Sequence, residues 1–227
     1  MCTRAAGEDK PSLLDYEEWS VLYVSRNNIS ISIENNEEIM EALGATEAQM
    51  KKAVKRTVSD LKQRVPGWIS EKVMEEYNIK KKDIMETLKS KNRETIVETS
   101  GVRIDGLNLV YEGRLLTPIH FDMKPGRPYR HNKKYTVSVE IIKGNRVTLG
   151  TNRVFLKSIG INEKTNKEKF LPFQRREKAK YPVDVIKTVS VPQMITNSKV
   201  KDEIQKKVNK EAMKRLQHNI LNAIQNE

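Results

Sequence analysis

The sequence predicts an α+β protein, with an antiparallel sheet and a long helix on either side of it in the chain, both packed on that sheet. Three patterns lead there. Between Met50 and Tyr77 apolar residues recur at three- and four-residue steps. Residues 135–142 read YTVSVEII and are followed by a turn and a second β-prone run. From Val200 to Ile220 every fourth residue is apolar. The first and third are the stripe of an amphipathic helix, and the second is a hairpin.

Residues 1–28 show no sustained period and read as an irregular extension; residues 29–227 read as one domain, helical over 46–90, β-rich over 93–192 and helical again over 197–225. Ile29, Ile31 and Ile33 alternate with Ser30, Ser32 and Glu34, the period of a half-buried strand. Gly44 then precedes Thr46 and Gln49, which have capping-box spacing. The stripe that follows is interrupted by Pro66-Gly67. Proline removes one helical hydrogen bond and clashes with the preceding turn, so a kink is expected there, or two helices meeting end to end. Asn78 ends the run, and a short basic helix is expected through Lys80–Lys89.

Four β-like pieces come next: Ile96-Val97, Val102–Ile104, Leu107–Tyr111 and Leu115–Phe121, split by Gly101, Gly106 and Gly113. Tyr135–Ile142 and Arg146–Leu149 form the hairpin around Lys143-Gly144-Asn145. Val154–Leu156 and Phe170–Phe173 are short strands, with a loop over Asn162–Lys169 between them. The stretch 180–194, KYPVDVIKTVSVPQM, has a proline near each end. Each proline pushes its predecessor toward an extended conformation, so the stretch reads as one strand with stiff ends. Asn197 or Ser198 caps the last helix, whose row Val200, Ile204, Val208, Ala212, Leu216 and Ile220 is widened by Met213 and Leu221. Asp202 and Glu203 are placed in its first turn, where the helix dipole favours them.

The chain of 227 residues carries a formal charge of +12, unevenly spread. Residues 1–50 hold three bases against ten acids, leaving 39 bases against 20 acids for residues 51–227. An acidic head and a basic body suggest different partners for the two, although charges of this kind also simply solvate helix faces. A single cysteine, Cys2, rules out an internal disulfide and points to a reducing compartment. No apolar run is long enough to span a bilayer, and MCTRAAGEDK lacks the apolar core of a signal peptide. No membrane is expected.

Catalytic patterns are not found. The three histidines, His120, His131 and His218, fall in different elements without a second cysteine, so no metal site is expected. Gly126 in KPGRP is flanked by prolines rather than followed by a helix, and Asp105 and Asp122 are not paired as acid and base. No cofactor is expected, and the chain reads as a non-enzyme. Basic clusters are plentiful: Lys51-Lys52, Lys55-Arg56, Lys80, Lys81 and Lys82, then Arg127, Arg130, Lys133 and Lys134 in RPYRHNKK, then Arg175, Arg176 and Lys178 in RREKAK. They could neutralise phosphates or meet an acidic partner. With 6 % aromatic residues, no strand offers a stacking platform for single strands.

YPVDVIKTVSVPQM followed by a charged helix containing KRLQHNIL resembles the C-terminal portion of the minor tail protein Z family, tail-completion proteins of long, non-contractile-tailed bacteriophages and prophages. EEYNIKKKDI (Glu75–Ile84), SGVRI (Ser100–Ile104), YTVSVEIIKGNRVTL with RVFL, and LPFQRREKAKYP are similar as well. The resemblance covers most of residues 30–225, continuously from about Tyr135. The positions matching the family motif are Tyr77, Tyr181, Pro182, Val191, Pro192, Gln193, Met194, Leu216 and His218. Pro66-Gly67 departs from a helix that is uninterrupted in relatives, Asp105–Leu116 reads as an insertion, and residues 1–28 have no counterpart.

What the resemblance implies is a structural virion protein of the neck. It would act in tail completion and head–tail joining, at the head-proximal end of the tail, after assembly in the host cytoplasm. Its expected form is a homo-oligomeric ring near the DNA channel. Its expected partners are tail terminator, tube, tape-measure or connector proteins, with non-specific contact to genomic DNA. The alternative from a different class is a sequence-nonspecific nucleic-acid-binding protein.

Overall fold

The computed structural model describes residues 25–33, 41, 44–89, 94–98, 104–129, 134–149, 154–162, 166–176 and 181–225. The described residues form four helices and nine strands. Strand β1 (Ser25–Ile33) precedes α1 (Glu47–Glu76) and α2 (Lys81–Leu88). Strands β2 (Glu94–Glu98), β3 (Ile104–Gly113), β4 (Asp122–Lys124), β5 (Ser138–Ile142), β6 (Asn145–Thr148), β7 (Val154–Asn162), β8 (Lys167–Arg175) and β9 (Val183–Val185) follow, then α3 (Val191–Thr196) and α4 (Ser198–Gln225). All strand pairs are antiparallel, in agreement with the α+β class. They form three small sheets rather than one, in the orders β1-β3-β2, β4-β5-β6 and β7-β8-β9. Alternation along a strand fixes its faces but not its neighbours, so sheet membership was outside the reach of that pattern.

Helix α1 begins as its sequence dictates. Thr46 Oγ1 accepts from Gln49 N at 3.3 Å, and Gln49 Oε1 accepts from Thr46 N at 2.8 Å, a complete capping box. The helix runs unbroken through Pro66, which is itself buried, so the two-helix alternative is not adopted. The lost hydrogen bond is outweighed because the stripe continues on both sides, with Leu61, Val65, Ile69 and Val73 inaccessible to solvent.

Helix α4 packs antiparallel along α1. Asn197 Nδ2 reaches Tyr77 Oη at 3.0 Å at one end, and Asn219 Nδ2 reaches Thr57 Oγ1 at 3.0 Å toward the other. Every member of the row Val200, Ile204, Val208, Ala212, Leu216 and Ile220 is buried, while Leu221 points outward at 45 % exposure and does not widen it. Asn197 is the capping residue, its Oδ1 accepting from Lys199 N at 3.1 Å. Asp202 and Glu203 consequently lie in the second turn, not the first.

One cluster of buried side chains extends from Ile29 in β1 to Ile220 in α4. Strand β1 starts at Ser25, inside the stretch expected to be irregular. Segment Asp105–Leu116, read as an insertion, supplies the central strand β3, with Leu107 and Leu109 fully buried. Its last residue, Gly113, must be glycine for space: a Cβ there would sit 2.7 Å from Cδ of Pro192.

Other expectations are corrected. Leu115–Phe121 is not a strand. Leu116 pairs with Thr188 and Val189 through backbone hydrogen bonds, and a 3-10 turn at Pro118–His120 follows. The loop expected at Asn162–Lys169 is shorter, since β7 continues to Asn162 and β8 starts at Lys167, while residues 163–165 lie outside the described residues. Its polar residues reflect a hairpin wet on both sides.

The proline-bounded stretch is likewise not one strand. β9 ends at Val185, and Val191 opens helix α3. Ser190 and Gln193 form a second capping box, with Pro192 in the first turn. There its missing N–H is one of the donors that has no intrahelical partner anyway. The S-x-x-Q spacing carried this signal in the sequence.

Candidate interaction surfaces

The positions matching the family motif divide into two groups. Val191, Pro192 and Met194 are buried, as is Leu216, and the half-buried Gln193 holds the cap of α3. Tyr77 is a buried junction. It bridges to Ile142 of β5, and its hydroxyl accepts from Asn197 between α3 and α4. The neighbouring backbone strengthens that junction, with Asn78 N donating to Ile141 O at 2.8 Å and Lys143 N to Glu76 O at 3.0 Å. By contrast Tyr181, Pro182 and His218 are exposed. His218 neither packs nor caps; it contacts Asn222 one turn later.

The predicted basic contacts are scattered. Lys80, Lys81 and Lys82 are exposed at the start of α2, and Arg127 and Lys134 are exposed near β4 and β5. Arg130, His131, Lys133 and Lys178 lie outside the described residues. Arg175 and Arg176 sit together at the end of β8 with different partners. Arg175 lies over the Phe155 ring, 5.4 Å from its centroid. Arg176 is clamped by the Asp184 carboxylate, its Nη2 at 2.8 Å from Oδ1. That hydrogen bond, with the charge behind it, holds Asp184 below the usual carboxylate range. Arg176 is thus partly neutralised within its own sheet. Among the described residues no group of three or more His, Cys, Asp or Glu could hold a metal ion, and no helix is long and apolar enough to cross a membrane.

Two surfaces emerge that the sequence did not reveal. The first belongs to the β7-β8-β9 sheet. Leu156 opposes Pro172 on its inner face, and both are buried. On the outer face Phe155, Phe173 and Val185 form a row across the three strands. The two rings stack with centroids 6.1 Å apart and planes 23° apart. Leu171 and Val183 lie on the same face by the two-residue period, with Lys157 and Arg175 at their cross-strand positions. Farther along β7, Ile159 and Ile161 are 49 % and 66 % exposed. The register shifts between Ser158 and Ile161, where Gly160 adopts φ +116°, so a bulge bends the hairpin end. Phe155 and Phe173 are far apart in the chain, and only the strand register brings them together.

The second surface is one end of the α1/α4 pair. Antiparallel packing sets residues 47–65, with six bases and two acids, beside residues 209–225, with three bases and one acid. Lys52, Lys55, Arg56, Lys210 and Lys214 are exposed and Arg215 half-exposed. At the opposite end three cations are engaged: Lys207 with Glu71 at 2.7 Å, Lys72 with Glu75 and Glu203 at 2.7 and 3.0 Å, Lys199 with Glu76 at 3.9 Å. The hydrogen bond from Lys207 lowers the Glu71 pKa, and those to Glu75 and Glu203 raise that of Lys72.

No family model matches the chain, and neither a curated protein nor a solved structure matches it.

Proposed function

We propose that the protein is a structural assembly component that acts without catalysis in tail completion and head–tail joining of a long-tailed phage, as one subunit of a homo-oligomeric ring in the neck. The reading starts from the resemblance carried by YPVDVIKTVSVPQM and KRLQHNIL. Within the fold, the observation that carries it is the outer face of the β7-β8-β9 sheet. A half-covered row of Phe155, Phe173 and Val185, extended by the exposed Ile159, is an apolar surface of the kind that marks a contact with another protein. The helical part of the fold is stiffly held. Capping boxes start α1 and α3, and Tyr77 ties the end of α1 to β5 and to the start of α4. A subunit that repeats around an axis needs such stiffness, because angular errors accumulate between copies and prevent closure.

The test is deletion of the gene from the phage or prophage that encodes it, followed by electron microscopy of the lysate. Separate heads and tails that fail to join are expected, with joining restored by the gene in trans. Normal joined, infectious particles from the deletion would refute the assignment. A sequence-nonspecific nucleic-acid-binding protein is the second reading, and the basic end of the α1/α4 pair is the observation that favours it.

A further inference from the structure

We propose that the basic end of the α1/α4 pair is a docking surface for the phosphate backbone of duplex nucleic acid. The inference stands on charge and geometry, and it holds whether or not the chain closes into a ring.

Asn219 of α4 donates to Thr57 Oγ1 at 3.0 Å and to Asp60 Oδ2 at 3.3 Å, which fixes how the two helices align. Lys52 and Arg56 lie two turns and one turn before Asp60, on the same stripe of α1. Arg215 lies one turn before Asn219 on α4. The two helices therefore carry their cations to the flanks of one seam. Lys55, Lys210 and Lys214 extend the positive surface on either side, and Lys214 also reaches Glu211 at 3.0 Å. Lys52, Lys55, Arg56, Lys210 and Arg215 enter none of the described ion pairs, whereas Lys72, Lys199 and Lys207 at the other end of the same helices do.

Several long cations gathered at one end of a helix pair cost self-repulsion. A polyanion removes that cost. Nineteen residues of helix span about 28 Å at 1.5 Å per residue, and duplex DNA presents about one negative charge per 1.7 Å of axis, so the surface can meet several phosphates at once. Exposed helix faces without base-reading motifs confer no sequence preference, and binding of this kind is governed by counterion release.

The experiment uses the full chain and a fluorescein-labelled random-sequence 30-base-pair duplex, with anisotropy measured across a salt series. Wild-type protein should bind at low salt, with affinity falling steeply as salt rises. Arg56→Glu with Arg215→Glu should lower affinity by about tenfold or more and flatten the salt dependence by about two phosphate contacts. The milder pair Arg56→Gln with Arg215→Gln should give a smaller loss in the same direction, with an unchanged circular dichroism melt. Lys201→Glu with Lys206→Glu makes the same charge change at the opposite end, and should alter affinity by less than about twofold.

Equal losses from the two reversals would reduce the effect to net charge and overturn the assigned surface. So would undetectable binding by the wild type at low salt. Loss of self-association with DNA affinity retained would identify an acidic segment of a second copy as the occupant instead. None of these outcomes bears on whether the deletion phage joins heads to tails, so the two proposals fail separately.

Discussion

The α1/α4 pair and the β7/β8 hairpin are both antiparallel two-element units, yet they treat their apolar residues in opposite ways. Along the helix seam Val54, Leu61, Val65, Val208, Leu216 and Ile220 are almost wholly removed from water. Among the described residues of the hairpin only Leu156 and Pro172 are buried, and the isoleucines near its far end stand in solvent. The contrast teaches what each unit is for. A buried seam contributes to the folded state of the single chain, at about 25 cal/mol per Å² of apolar surface removed from water. An exposed row contributes nothing until something covers it. The hairpin is therefore the unit expected to contribute energy between chains, and the helix pair the one expected to contribute it within a chain.

That division can be broken at three levels. Leu216→Asp puts a carboxylate in the centre of the seam and should cost at least about 3–5 kcal/mol, read as a collapse of the thermal transition; a wild-type melting temperature would refute the packing of α4. Next in size is Asn219→Ala. It removes the donor to Thr57 and Asp60 from a position only 6 % exposed, and should cost about 1–2 kcal/mol in a denaturant titration. Smallest for the monomer is Ile159→Asp with Ile161→Asp, which should change stability by no more than about 0.5 kcal/mol. Under the assembly reading the same double variant loses self-association in light scattering at high protein concentration. A stability loss as large as that of Leu216→Asp would show instead that the hairpin belongs to the core.

Much of the helix layer was readable from the chain because its signals are local. Thr46 and Gln49 are three residues apart and announce the start of α1, and a row at four-residue spacing announces the buried face of α4. Those intervals match the helix itself, so no knowledge of the partner is needed. The basic stretches Lys51-Lys52 and Lys55-Arg56 were visible too, but not that Arg215 stands across the seam from them. The strand region was less legible. Polar residues at 162–169 look like a loop when a hairpin is wet on both sides. The proline of VPQM reads as the close of a strand, although Ser190 and Gln193 mark the opening of a helix. A proline restricts the residue before it toward an extended conformation and suits a first helical turn equally well; only its surroundings choose.

The sequence by itself determined the helix stripes, their caps, the β5/β6 hairpin and the excess of positive charge, because each depends on neighbours a few residues away. The tertiary structure decided that the strands divide among three sheets. It also stacked Phe155 on Phe173, set Gly113 against Pro192, and gathered Lys52, Arg56 and Arg215 at one end of the helix pair while pairing Lys72, Lys199 and Lys207 with acids at the other. The physical reason is distance along the chain: contacts between residues tens to hundreds of positions apart have no local spacing to betray them, and they exist only once packing has fixed which surfaces meet.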